Sequence, residues 1–267
     1  EDAAQAFGAM ENGRRLGTFG DAGVFSLGFY KNVNAWQGGL VVSPDAELVE
    51  RIRRRVAEWR PVAASRLAGI SMAGGVTDLA TWPPLFAALT YPVVRRAVLR
   101  GVAAVIRRLD PESGARRLNA MPPACLQRMS SVQAELALRQ LDSVDAASEA
   151  RIARARRYRE GLAGLDGLAL PPPPDGLSQT FSYYPVQCRD REALLRFALQ
   201  RRRDFAAQSL RNCADLPEFA EFRRDCPNAR SAARELVLLP TYPRYPLAEV
   251  DRNIAVLRDF YGNISHG

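Results

Sequence analysis

Of the 37 basic residues in this 267-residue chain, one is a lysine, Lys31, and the other 36 are arginines. Arginine stays protonated and cannot form a Schiff base; a lysine amine can. A position that keeps lysine against so strong a drift toward arginine needs an amine. Lys31 closes the run Ser26-Leu27-Gly28-Phe29-Tyr30-Lys31 and lies downstream of Glu1-Asp2-Ala3-Ala4-Gln5-Ala6. A carboxylate, a hydroxyl five residues before the lysine, and the amine itself are the groups here that can do chemistry.

Two apolar runs bracket the lysine. Val24-Phe25-Ser26-Leu27 and Gly39-Leu40-Val41-Val42 read as short strands on either side of a Lys31 loop. The nearby Gly20, Gly23, Gly28, Gly38 and Gly39 allow close backbone approach and positive φ. A helix is then predicted, with Ser43 as N-cap and Pro44 in its first turn. Leu48, Ile52, Val56 and Trp59 give it an apolar face, and Pro61 ends it.

Residues 62–124 are the least legible stretch. An apolar segment, Trp82 to Leu89, leads into a basic amphipathic helix over 93–108 that carries Arg95, Arg96, Arg100, Arg107 and Arg108. It is too short and too charged to span a bilayer. We read it as a helical excursion packed on its own domain or on a partner subunit, in preference to a membrane-surface helix. Ser130 or Ser131 then caps one long predicted helix reaching Leu162, with Val132, Leu136, Leu141 and Val144 as its early apolar face. Gly164, Gly167 and the prolines at 171–174 mark a boundary. Beyond it a strand (181–186), a helix (191–206), a strand (235–239) and a final helix form a small α+β lobe. That last helix spaces Leu247, Val250, Ile254, Leu257 and Tyr261 three to four residues apart.

The length and the 47% hydrophobic content suit one or two domains with a substantial core. The net charge of +8 invites a nucleic-acid reading. The arginines, however, are spread along the whole chain without interleaved aromatic rings, so we read them as solvated helix faces and expect no nucleic-acid partner. Cys125, Cys188, Cys213 and Cys226 lack metal-ligand spacing, and only His266 could join them. They read as free thiols in a reducing, cytoplasmic compartment, with no metal.

The order and spacing of Glu1 to Ala9, Gly17 to Ser26, Lys31-Asn32 and Gly38 to Val42 resemble the DegT/DnrJ/EryC1/StrS family of pyridoxal-phosphate (PLP) sugar aminotransferases. The resemblance runs over residues 1 to 60 and returns at Arg128 to Ala134, Arg157 to Leu162 and Leu238-Leu239-Pro240. It implies an α/β fold of the PLP-dependent transferase type I, aspartate-aminotransferase-like. Residues 1–125 would be the C-terminal part of an incomplete large domain, with an atypical helical segment at 62–124. Residues 126–165 would be a connecting helix, and 166–267 a small α+β domain. The chain begins inside a motif, so an N-terminal part bearing the phosphate-binding turn and a ring that stacks on the cofactor is expected before Glu1.

The resemblance also implies roles. Lys31 would form the Schiff base with PLP and move protons. Asp2 would hold the pyridine nitrogen protonated, Ala4 would lie flat under the ring, Gln5 would sit near the ring hydroxyl, and Ser26 would donate to the phosphate. Arg128 would reach the site of a partner subunit in a homodimer with shared active sites. The implied reaction is amino transfer, from glutamate, to a keto group on a nucleotide-linked sugar, with a product that feeds a surface polysaccharide or a glycosylated metabolite. The sequence departs from the family at Phe7, where a histidine is common, at Gly28-Phe29-Tyr30, and at Leu126, where an asparagine usually touches the partner's phosphate. The small-lobe histidine is also missing from Thr180 to Tyr184. Lys31 argues against the branch that replaces this lysine with histidine and performs dehydration. The rival expectations are a degenerate aminotransferase scaffold with a binding or membrane-peripheral role, and a non-catalytic fragment.

Overall fold

The computed structural model of the protein describes residues 1–102, 119–207 and 211–264. A small hairpin, β1 (Met10–Glu11) and β2 (Arg14–Arg15), comes first. The strands expected around Lys31 follow: β3 (Gly23–Ser26) pairs antiparallel with β4 (Gly39–Val42), Phe25 opposite Leu40 and Ser26 opposite Gly39. The chain start runs alongside β3, with a parallel bridge between Asp2 and Val24.

Helix α1 spans Ala46–Ala57. Its N-cap is Asp45, two residues past the expected Ser43, and Asp45 accepts from the Leu48 amide at 3.0 Å. Ser43 instead accepts from the Asp45 amide at 3.0 Å, shaping the approach to the helix. An aspartate caps at least as well as a serine, so the later residue wins. Arg60–Pro61, as β5, pairs in parallel with Gln127–Arg128, β6. Between them lie α2 (Ala64–Thr81), a helical turn at Pro83–Leu85, a π-helical stretch at Phe86–Thr90 and α3 (Tyr91–Leu99). Helix α3 covers the first part of the basic helix expected over 93–108; residues 103–108, with Arg107 and Arg108, lie outside the described residues, as does His266. It packs on the C-terminal lobe, where the Tyr91 hydroxyl and Arg95 Nε both donate to the Leu199 carbonyl at 2.9 Å.

The single helix expected up to Leu162 is two, α4 (Ser131–Leu141) and α5 (Val144–Leu162). The Ser143 hydroxyl and amide both turn back on the Gln140 carbonyl, which takes that acceptor out of a continuing helix. Ser130 caps α4 in a reciprocal capping box with Gln133. The buried face of α4 also differs from expectation: Val132 and Leu141 are exposed, and Gln133 is fully buried.

The C-terminal lobe holds a four-stranded antiparallel sheet in the order β7 (Leu168–Ala169), β8 (Tyr183–Cys188), β10 (Leu236–Pro240), β9 (Ala206–Ala207). Helices α6 (Arg191–Gln200), α7 (Pro227–Glu235) and α8 (Leu247–Ile264) complete it. Its core joins Leu194, Val237, Leu239 and Leu257 to Tyr158 and Leu162 of α5. A second, smaller cluster of Leu27, Val33, Ala35 and Val144 sits directly behind the Lys31 loop. Among the described residues, no helix is long and apolar enough to cross a membrane.

Candidate functional site

The site is built on β3. Residues paired across strands project to the same face, and alternate residues on one strand share it. The Asp2–Val24 bridge therefore sets Asp2, Val24 and Ser26 on one face of the sheet. The opposite face is core, where Ala3 and Phe25 are buried. The face with Asp2 and Ser26 is open, and Val24 stands about half exposed between them. Two hydrogen bonds lock this register, from the Ala3 amide to the Val24 carbonyl and from the Val24 amide to the Glu1 carbonyl, each 2.9 Å. Gly23 is obligatory here, because a Cβ on it would lie 1.9 Å from the Gly17 carbonyl oxygen.

Asp2 Oδ1 accepts from the Ala4 amide at 3.0 Å, in a turn that carries Ala4 half-buried and Gln5 exposed. Beside it, backbone amides around Gly17 and Phe19 hold the Glu1 carboxyl below its usual range. On the other side of β3 the chain turns sharply, and the Lys31 amide donates to the Gly28 carbonyl at 3.1 Å. This places Lys31 in the loop between β3 and β4, half-buried, between the exposed Tyr30 and the half-buried Asn32.

Residues that sequence reading did not single out hold this loop in place. Asn32 Nδ2 donates to the Phe7 carbonyl at 3.0 Å and to the Thr180 hydroxyl at 3.2 Å, tying the loop to the C-terminal lobe. Its Oδ1 is buried with no partner among the described residues. From α4, Gln133 Nε2 donates to the carbonyls of Ala35 and Gln37. Gln140 accepts from the Asn34 amide and donates to the Asn34 carbonyl. The only signals for these roles were two glutamines at heptad spacing on a helix face and an asparagine next to the lysine.

The C-terminal lobe adds a cation. Arg151 of α5 donates to the Ser182 carbonyl at 3.3 Å and makes no ion pair among the described residues. Burial pulls its pKa below the usual arginine value. Its neighbour Tyr183 is shifted up by burial and also feels Tyr30 of the Lys31 loop. Arg151 and Tyr30 thus both lie within electrostatic reach of Tyr183. Arg128 stands apart from this group. It is exposed on β6, and its neighbour Met129 packs against Gly38 at the far end of the Lys31 loop. The structure brings Asp2 and Ser26 onto one face and Lys31 into the adjacent loop; among the described residues no hydrogen bond or ion pair joins Arg128 to them.

Comparison with known proteins points the same way. A UDP-N-acetyl-3-dehydro-alpha-D-glucosamine 3-aminotransferase of Acidithiobacillus ferrooxidans is 27% identical over 97% of this chain and 56% of its own length. A dTDP-3-amino-3,4,6-trideoxy-alpha-D-glucose transaminase of Micromonospora megalomicea is 29% identical over 97% of this chain and 57% of its own. The chain thus spans about half the length of these curated relatives. A solved DegT/DnrJ/EryC1/StrS aminotransferase from Brucella abortus superposes with a TM-score of 0.68 at 20% identity, over 98% of this chain and 57% of its own. That likeness shows the PLP-dependent transferase type I fold. The family's sequence pattern matches residues 1–72 and 104–258 and passes over 73–103. On that match the chain belongs to the DegT/DnrJ/EryC1/StrS aminotransferase family.

Proposed function

We propose that the protein is a PLP-dependent aminotransferase that moves an amino group from glutamate to a keto group on a nucleotide-linked sugar. The observation that carries this reading is the shared open face, with a carboxylate and a hydroxyl side by side next to the loop that bears the sole lysine. The substrate class is supported by relatives named for UDP- and dTDP-linked sugars.

The residues present fit the cofactor. Asp2 Oδ1 is engaged by the Ala4 amide, which leaves Oδ2 to hold a proton on a pyridine nitrogen. Ala4 presents a small side chain beside it, Ser26 offers a hydroxyl to a phosphate, and Gln5 stands at the same turn to meet a ring hydroxyl. When bound, PLP supplies an electron sink for the carbon that carries the amine. Lys31 Nζ takes the proton from that carbon of the donor and, in the second half-reaction, delivers a proton to the sugar carbon that gains the amine. Asn32, Gln133 and Gln140 hold in place the loop that carries Lys31. Arg151, drawn from water without an acidic partner among the described residues, binds the substrate's anionic group. Arg128, on the far side of the loop, serves the site of a second subunit in a cytoplasmic homodimer. We keep the division into a large-domain part (1–125), a connecting segment (126–165) and a small domain (166–267).

Because these 267 residues hold one lysine, a pyridoxyl group on a lysine within them maps to Lys31. The protein, treated with PLP and then borohydride, is expected to carry one pyridoxyl group, on the peptide with Lys31. The full-length protein should convert a UDP- or dTDP-linked keto sugar with glutamate. A label confined to the terminal amine, with no amino-sugar product, would overturn the proposal.

A further inference from the structure

We propose that the segment 73–103, which the family's pattern passes over, docks the protein on the surface of an anionic lipid bilayer. From Leu67 to Thr90 the chain carries a single charged residue, Asp78. Such a stretch is expected to be core. Instead Met72, Val76, Leu79, Trp82, Leu89 and Val93 are each between 58% and 70% exposed. Met72, Val76 and Leu79 recur at three- and four-residue spacing, so they form one outward stripe on α2. Asp78 falls roughly 130° around the helix from that stripe. A monomer rarely leaves so much contiguous apolar surface without a partner.

The basic charge sits where a bilayer would use it. On α3, Val93, Arg96 and Arg100 share the exposed face, whereas Arg95 points the other way and is spent on the Leu199 and Gln200 carbonyls. A shallow open hollow of about 520 Å³ is lined by Pro92, Val93, Arg95, Arg96, Leu99 and Arg100. It offers guanidinium groups beside apolar side chains, the combination that meets a phosphate headgroup over acyl chains. The exposed Trp82 suits the same interface.

The hairpin is also braced from behind. Thr90 Oγ1 donates to the Ala80 carbonyl at 2.8 Å, closing α2 onto the π-helical stretch. Arg66 reaches Gln37 from the base of α2, and Tyr91 anchors α3 to the C-terminal lobe. The outward face is therefore presented, not folded away. A bilayer is favoured over a second copy of this chain because the exposed Arg96 and Arg100 stand beside the exposed Val93 on the element next to Trp82 and Leu89, and an anionic lipid surface answers both the charge and the apolar area. Among the described residues no helix is long and apolar enough to cross a membrane, and the proposed mode is docking on the surface. Gly74 of α2 approaches Phe29, so docking brings the Lys31 loop close to that surface.

The test is co-sedimentation of the full-length protein with phosphatidylcholine vesicles, with and without phosphatidylglycerol. Binding is expected to be much stronger to the anionic vesicles and to weaken as salt is added. Arg96→Gln with Arg100→Gln should lower the partition coefficient roughly 30-fold, from the contribution of about 1 kcal/mol per basic residue near such a surface. Trp82→Glu with Leu89→Glu should abolish binding while circular dichroism and the unfolding midpoint stay unchanged. Equal binding to neutral and anionic vesicles, or binding that salt does not weaken, would overturn the proposal. So would concentration-dependent self-association that these substitutions remove while vesicles have no effect, since the face would then belong to a second copy.

Discussion

At the scale of single residues, the face beside Lys31 makes separable demands. Asp2→Asn keeps an oxygen for the Ala4 amide but loses the charge that holds a ring nitrogen protonated. Cofactor binding should persist while kcat falls by about 100-fold or more. A kcat within threefold of the parent would show that Asp2 does not face the cofactor. Arg151→Gln tests the proposed anion contact. Losing a charged hydrogen bond to a substrate anion should raise KM by about 10- to 100-fold. Steady-state kinetics should show kcat little changed, because the anion is held in ground and transition states alike. An unaltered KM for both glutamate and the sugar nucleotide would place the anion elsewhere. The loop position of Lys31 between two strands was legible from residue type and spacing, whereas Asp2 was singled out by the family resemblance. Arg151 was not, because one arginine among 36 carries no local mark of being the one drawn from water.

At the scale of elements, α4 positions the chemistry by packing a polar face on the Lys31 loop. Gln133 is fully buried, donates to the Ala35 and Gln37 carbonyls, and closes the capping box with Ser130. Gln133→Leu strands two loop carbonyls and half a cap. The expected cost is about 2–4 kcal/mol, read from chemical denaturation. A loss under about 1 kcal/mol would mean that water replaces the amide without strain. Periodicity had pointed to Val132, Leu136 and Leu141 as the inward face. The real face is offset because these glutamines satisfy backbone groups that an apolar side chain would leave unpaired. Strands β3 and β4, by contrast, were legible to within a residue, since short apolar runs between glycines have few other uses.

At the scale of the molecule, the C-terminal lobe's core is rich in buried phenols. Tyr184 is stacked on Tyr158, and burial pushes its pKa up to about 12; Tyr158 and Tyr261 are also shifted upward by burial. A raised pKa means that the native state holds the proton more tightly than the unfolded chain does. The stability this confers is fully present below the unfolded value of about 10 and is lost as pH rises through the native one. Urea midpoints measured across that window should be flat at first and then fall steeply, and Tyr184→Phe should soften the fall. A parent midpoint that stays level past pH 12 would contradict the burial. Assembly is tested at the same scale. Among the described residues no hydrogen bond or ion pair joins Arg128 to Lys31, and in the proposed two-fold assembly Arg128 serves the partner's site. Mixing Lys31→Ala with Arg128→Ala subunits should restore about a quarter of the parent activity, one site in each mixed dimer being intact. No recovery despite confirmed subunit exchange would reject shared sites.

The sequence alone determined which atoms can react. A solitary lysine, a serine five residues before it and an acidic start are facts of composition and short spacing, and local backbone preference sets the strands and turns around them. Only the tertiary structure decided which distant groups complete the site. Asn32 meets Thr180 across 148 residues, and Gln133 meets Ala35 across 98. Such pairings depend on how the elements pack, and nothing in the local pattern of either partner encodes them. The same limit explains residues 73–103. Hydrophobic spacing says that a helix has an apolar side, whereas only the packed fold shows what covers that side, and among the described residues Met72, Val76 and Leu79 stay exposed.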